Sequence, residues 1–153
     1  MTPLNLNIQR ATDDESPAVA ALVNAAYSKW IEVIGRKPMP MLADYDALIA
    51  RQCVYCAREG LVLVGVIVLW PADDSLYIDN IAVASKQQGR GVGDALLAFA
   101  EQQASALNLS RMTLLTHEKM LYNQDYYRKH GYTELRRETF PDGRSAVWME
   151  KQL

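Results

Sequence analysis

"QQGRGVGDALLAFAEQQA", from Gln87 to Ala104, sets glycines at 89, 91 and 93 directly before a stretch whose apolar residues recur with helical spacing. Glycine costs about 1 kcal/mol relative to alanine inside a helix. Alternating glycines at a helix start therefore imply a demanding turn, or a neighbour that must come very close to the backbone. The residues before the turn, LYIDNIAVA from Leu76 to Ala84, read as a strand. Those after it place Val92, Ala95, Leu96, Phe99 and Ala106 on one helical face. Strand, glycine turn and helix together make an anion site, because the first helical N–H groups are unpaired and the dipole is positive there.

Three nucleotide motifs fail on this stretch. A P-loop needs Gly-Lys-Ser/Thr, which is absent. The dinucleotide fingerprint needs glycine or alanine where Asp94 stands, and belongs at the first strand rather than a late one. The kinase loop is followed by a strand, whereas a helix follows here.

The rest of the chain reads as one α/β domain in the order β-α-α-β-β-β-α-β-α-β-β. Leu4, Leu6 and Ile8 alternate with polar residues as a first strand. Ser16-Pro17 is a helix start, with serine as cap, and Val19, Leu22, Val23 and Ala26 form its apolar stripe. The segment from Lys29 to Asp44 is irregular and apolar, a lid or a connector folded on the core. A short helix over Tyr45–Arg51 follows. Cys53–Glu59 and Leu61–Trp70 read as a hairpin turning at Gly60. Met112–Thr116 is a strand, Tyr122–Lys129 a helix stopped at His130-Gly131. Tyr132–Phe140 and Arg144–Lys151 form a last hairpin around Pro141-Asp142-Gly143.

Gln88-Gly89-Arg90-Gly91-Val92-Gly93 fits Q/R-x-x-G-x-G/A and resembles the coenzyme A pyrophosphate loop of the GNAT superfamily of N-acyltransferases. The preceding strand and the stretch Tyr126-Tyr127, Arg128-Lys129-His130, Gly131, Tyr132 resemble the same family. The motifs span about Leu76 to Leu135, and the element order fits throughout. The resemblance implies a single GNAT-like domain over residues 1–153, with a mixed sheet of about seven strands and about four helices. It further implies acetyl-CoA as acyl donor and a primary amine of a small molecule or peptide as acceptor.

The same resemblance assigns the donor to Ile81, Ala82 and Val83, whose backbone would pair with pantetheine amides, and to Gln88, Gly89, Arg90, Gly91, Val92 and Gly93. Arg90 would pair with phosphate or stay solvated, as would Lys86. Many members carry an asparagine seven residues before the helix tyrosine, where this chain has Met120. Asn123, four residues before Tyr127 and on its helix face, is the displaced candidate.

Acetyl transfer needs a neutral amine and a proton for the departing thiolate. Tyr127 is the candidate acid, since a phenol of pKa near 10 stays protonated at neutral pH; the alternative is a core aromatic. Tyr126 reads as the better core residue. Asp79 is the candidate base, expected by strand alternation on the face of Ile81 and Val83. Glu118, His117 or a water chain are the other choices.

A net charge of -2 supplies no field for nucleic acid, and the apolar run Leu61–Trp70 is far short of a bilayer span. Met1 to Arg10 lacks the basic start and apolar core of a leader, so the expected location is the cytoplasm. No metal is expected: Cys53 and Cys56 lack a second pair, and read as thiols without chemistry. A homodimer is left open. The rival functions are a non-catalytic acyl-CoA-binding module, a dinucleotide-binding protein, and an interaction domain with purely structural glycines.

Overall fold

The structure is a computed structural model that describes residues 4–153. The reading of Met1 to Arg10 as free of a leader rests in part on residues outside that range. The elements are β1 Asn7–Arg10, α1 Ser16–Tyr27, α2 Trp30–Ile34, α3 Tyr45–Ala50, β2 Val54–Glu59, β3 Val62–Ala72 and β4 Ser75–Val83, followed by α4 Val92–Ala106, β5 Arg111–His117, α5 Leu121–Lys129, β6 Thr133–Thr139 and β7 Ser145–Gln152. The seven strands form one sheet in the order β1-β2-β3-β4-β5-β7-β6, with β4 and β5 parallel and every other pair antiparallel.

The start differs from expectation. β1 begins at Asn7, leaving Leu4 and Leu6 ahead of it, packed on the core. Ser16 is not a cap but the first residue of α1, preceded by a 3-10 turn over Asp13–Glu15. Glu15 Oε1 accepts the Thr12 N–H at 2.8 Å, so the acidic turn supplies the start signal that serine was expected to give. The irregular segment also contains structure: α2 closes at Gly35, whose φ of 87° is the left-handed stop, and Met39–Leu42 is a 3-10 turn. The described residues hold five α-helices, where about four were expected.

The two faces of the sheet carry separate cores. Ile67, Leu69, Leu76 and Ile78 pack against Leu96, Leu97 and Ala100 of α4 and Tyr127 of α5. Val66, Val68 and Ala82 pack against Val19 and Val23 of α1 and Ile49 of α3. Each such apolar side chain, fully buried, contributes about 1.5–3 kcal/mol. On α4 the buried face is Val92, Leu96, Leu97, Ala100 and Ala104, with Ala106 exposed, one residue later in phase than expected.

Two local features position the site. A Cβ at Gly65 in β3 would lie 2.9 Å from Val92 and 3.0 Å from Leu96, so glycine there lets the first turns of α4 settle onto the sheet. In β4, Ile78 pairs with Leu69 and Asn80 with Val68, which leaves Asp79 as the extra residue of a β-bulge. Ladder pairing of β4 to β5 runs from Leu76↔Met112 to Ile78↔Leu114 and stops at the bulge. Beyond it the parallel strands part, and the β5-side edge of Asp79–Val83 is left open.

Candidate active site

The glycines answer their question in two ways. Gly89 and Gly91 have φ of 79° and 89°, a region that side chains strain to occupy. Gly93 is needed for space, since a Cβ there would stand 2.8 Å from the Tyr126 hydroxyl. Gly91 is the N-cap of α4 and no side chain caps the helix, so its leading N–H groups are free for an anion.

A cavity of about 290 Å³ opens at this helix end. Ile81, Ala82 and Val83 form one wall, with Gln88, Gly89, Gly91, Val92 and Gly93 as its floor. Asn123 and Tyr127 of α5 complete it. Of the expected pairing edge, the Ile81 carbonyl is already engaged, accepting the Tyr27 hydroxyl at 3.0 Å.

Arg90 is not in the wall. Its guanidinium makes a two-pronged pair with Glu59 of the β2–β3 hairpin, Nη1–Oε1 and Nη2–Oε2 both at 3.0 Å. In this arrangement the side chain ties the loop to the hairpin. Lys86 is absent from the wall as well, and Lys29, the residue before α2, is the basic residue that does line it.

A second cavity, of about 790 Å³, lies on the other side of α5 and the β4–β5 gap. Asp79 faces this one. The expected sharing of a face with Ile81 and Val83 does not hold: those two pack with the α4-side core, whereas Asp79 lines the second cavity beside Tyr77 and Asn80. The bulge is the reason, because one inserted residue inverts the alternation between Ile78 and Ile81. Burial raises the Asp79 pKa, against a lowering by Asn80, whose Nδ2 donates to Oδ2 at 3.4 Å. No cation pairs with it among the described residues.

Tyr127 lines both cavities, as do Asn123 and Tyr27. Burial pushes the Tyr127 phenol up to about 12, and among the described residues no group bonds its hydroxyl. Tyr126 is the better-tied neighbour, donating to Asp94 Oδ1 at 2.7 Å, with His130 Nε2 3.1 Å from the same oxygen. Expected as the core residue, it is instead half-buried in the smaller cavity, and Tyr127 is the buried one.

The other base candidates separate here. Glu118 lines neither cavity. His117 lines the larger one, and burial lowers its pKa, so it is neutral near pH 7. Its Nδ1 accepts the Lys119 N–H at 3.1 Å, which places the ring proton on Nε2. The free nitrogen is therefore a donor, unable to take a proton. Cys53 and Cys56 are free and buried, and burial raises the Cys56 thiol to about 11, keeping it protonated.

The Acetyltransferase (GNAT) family model matches residues 19–132. The chain belongs to the GNAT acetyltransferase family. As a member it is an acetyltransferase. Solved structures share the fold across nearly the whole chain. The PaiA N-acetyltransferase of Thermoplasma acidophilum, in complex with coenzyme A, aligns with a TM-score of 0.81 at 15% identity, over 97% of this chain and 99% of that one. The IAA acetyltransferase of Bacillus cereus aligns at 0.73 with 21% identity, over 97% and 100%. The ribosomal-protein-S18-alanine N-acetyltransferase of Escherichia coli aligns at 0.75 with 16% identity, over 97% and 94%. Among the described residues, no helix is long and apolar enough to cross a membrane, and no group of three or more His, Cys, Asp or Glu is placed to hold a metal ion.

Proposed function

We propose that the smaller cavity takes acetyl-CoA and the larger one a primary amine, with transfer between them beside Tyr127. The observation that carries this is that Tyr127 lines both cavities and that its hydroxyl has no partner among the described residues. The free α4 N–H groups and the glycine loop would hold pyrophosphate, and the open β4 edge at Ala82 and Val83 would pair with the pantetheine amides. Bound acetyl-CoA supplies an activated thioester carbonyl.

Asp79 accepts the proton of the incoming ammonium, helped by a carboxyl pKa that burial lifts toward neutrality. The amine nitrogen, now neutral, attacks the carbonyl carbon. As the tetrahedral adduct re-forms its carbonyl the carbon–sulfur bond breaks, Tyr127 gives its phenolic proton to the departing sulfur, and the phenolate takes the second proton from the nitrogen as the amide forms. A thiolate whose conjugate acid is near 8.5 in water becomes more basic in the same buried setting, which narrows the mismatch with a phenol at about 12. Asn123, one turn before Tyr127 and also lining both cavities, would contact the pantetheine arm.

The test combines calorimetric titration of coenzyme A with thiol release from acetyl-CoA in the presence of amines. Gly91→Val forces a branched side chain into φ of 89°, with its Cβ 3.6 Å from Leu4. The loop must therefore re-form. The expected result is a folded protein with at least about tenfold weaker coenzyme A binding. Unchanged binding would remove the loop from the donor site, and binding without transfer to any amine would favour the non-catalytic module.

A further inference from the structure

We infer that the acceptor is a small monoamine on an apolar, preferably aromatic, body, seated in the larger cavity with its nitrogen at Asp79. The inference rests on reading that cavity as the acceptor site. Three features of the cavity carry it.

The first is charge. Three aspartates line the wall, and two are already engaged. Asp44 Oδ1 accepts the Ala47 N–H as the cap of α3. Asp142 pairs with Arg144 at 3.1 Å and with Arg36 at 3.8 Å. Asp44 and Asp142 are exposed, whereas Asp79 is half-buried and has no counter-ion among the described residues. Beside it, Asn80 Oδ1 is buried without a partner, and its dipole adds negative potential at the same place. Burial is what chiefly raises the phenols of Tyr27, Tyr45 and Tyr77, and the Asp79 charge is a smaller contributor to each, so all three lie within its electrostatic reach. One carboxylate among aromatic rings suits one ammonium. A polyamine or aminoglycoside would leave further cations unpaired in a low-dielectric space whose wall already carries Arg51 and Arg144. An α-amino acid would bring its own carboxylate within a few ångströms of Asp79.

The second is the lining. Trp70, Tyr77, Leu114, Met120 and Phe140 present apolar surface, and Met39 and Leu42, 59% and 57% exposed, make an apolar lip. The third is closure. Arg36 Nη1 donates to the Asp142 carbonyl at 2.9 Å, and Arg144 Nη2 donates to the Lys37 carbonyl at 2.7 Å. Tyr45 fastens the covering segment by donating to the Pro40 carbonyl at 2.6 Å. These ties join the 36–40 segment to the β6–β7 turn, so a polypeptide has no open groove to lie along. A volume of about 790 Å³ suits a single small molecule.

The experiment compares kcat/KM for 2-phenylethylamine, spermidine, kanamycin, L-phenylalanine and an alanine-initiated peptide, each with acetyl-CoA. 2-Phenylethylamine should exceed each of the others by at least about 100-fold. Leu42→Ser, at the exposed lip, should raise its KM about tenfold and leave the KM for acetyl-CoA alone. Preference for spermidine, kanamycin, the amino acid or the peptide overturns the inference, and does so while leaving the transferase reading intact. Loss of coenzyme A binding to the parent protein would instead sink that reading. Should no amine turn over, quenching of tryptophan fluorescence by 2-phenylethylamine decides, and a Kd weaker than about 10 mM overturns the inference.

Discussion

The Tyr126 hydroxyl stands 2.8 Å from the point where a Cβ on Gly93 would sit, and Tyr126 Cζ stands 3.5 Å from it. Only the oxygen is too close. This contact presses α5 onto the first turn of α4, where Tyr126 also donates to Asp94. The third glycine of the loop is thus a packing residue, coupled to a tyrosine 33 positions later.

Gly93→Ala should therefore destabilise the fold by about 1–3 kcal/mol through overpacking, and weaken coenzyme A binding as the loop shifts. Tyr126→Phe removes the offending oxygen. The double variant should melt above Gly93→Ala alone, a coupling readable in a double-mutant cycle of Tm. Strict additivity of the two changes would show that the contact is slack.

Tyr127→Phe deletes a hydroxyl that no group among the described residues bonds, so Tm should hardly move. Loss of the acid should lower kcat by about 10²–10⁴-fold, with a far smaller change in the KM for acetyl-CoA. Unchanged kcat at saturating amine, with chemistry rate-limiting, removes Tyr127 from the reaction. A fall in Tm proportionate to the loss of activity would mark it as a core aromatic.

The loop–helix unit was legible because its signals are local. Left-handed turns need glycine, the strand before the turn alternates, and His130-Gly131 ends α5 where the left-handed stop was expected, with φ of 93° at Gly131. The bulge at Asp79 was not legible. Its cause lies in pairing with β3, and nothing in LYIDNIAVA distinguishes an extra residue from regular alternation. The same holds for Arg90, whose choice of Glu59 over a phosphate depends on a hairpin 31 residues earlier. Tyr27 and Lys29 carried no motif at all, and only the folding of α1 over the sheet brings them to the cavities. Tyr126 and Tyr127 were separable in principle by helical phase, yet deciding which one is buried requires knowing where α4 sits.

Lys29 and Arg90 should differ sharply toward coenzyme A. Lys29 lines the donor cavity, and Lys29→Ala should weaken binding of coenzyme A more than binding of dephosphorylated pantetheine. Arg90→Ala removes a side chain spent on Glu59, and should change the dissociation constant for coenzyme A by less than about threefold. Titration calorimetry of both variants reads the contrast, and a reversed order would return phosphate binding to Arg90.

Asp79→Asn should stabilise the protein while disabling it. The carboxyl has a pKa raised in the folded chain by burial, whereas in the unfolded chain it titrates near 3.9. Below the unfolded pKa both states are protonated, and the group contributes nothing. As pH rises through the folded pKa, the unfolded state ionises more readily, and a charge with no counter-ion is carried at a cost in the native state. The wild-type protein should therefore melt below Asp79→Asn at pH 7–8, with the gap closing as pH falls below about 4. The same substitution removes the proton acceptor, so kcat/KM should drop by about 10²–10⁴-fold. In the parent enzyme kcat/KM should fall on acidification through a pKa above the ordinary aspartate range, and that limb should vanish from the residual activity of the variant. A variant less stable than the parent at pH 7 would mean that the carboxylate has a partner in the fold. Full activity would pass the base role to water.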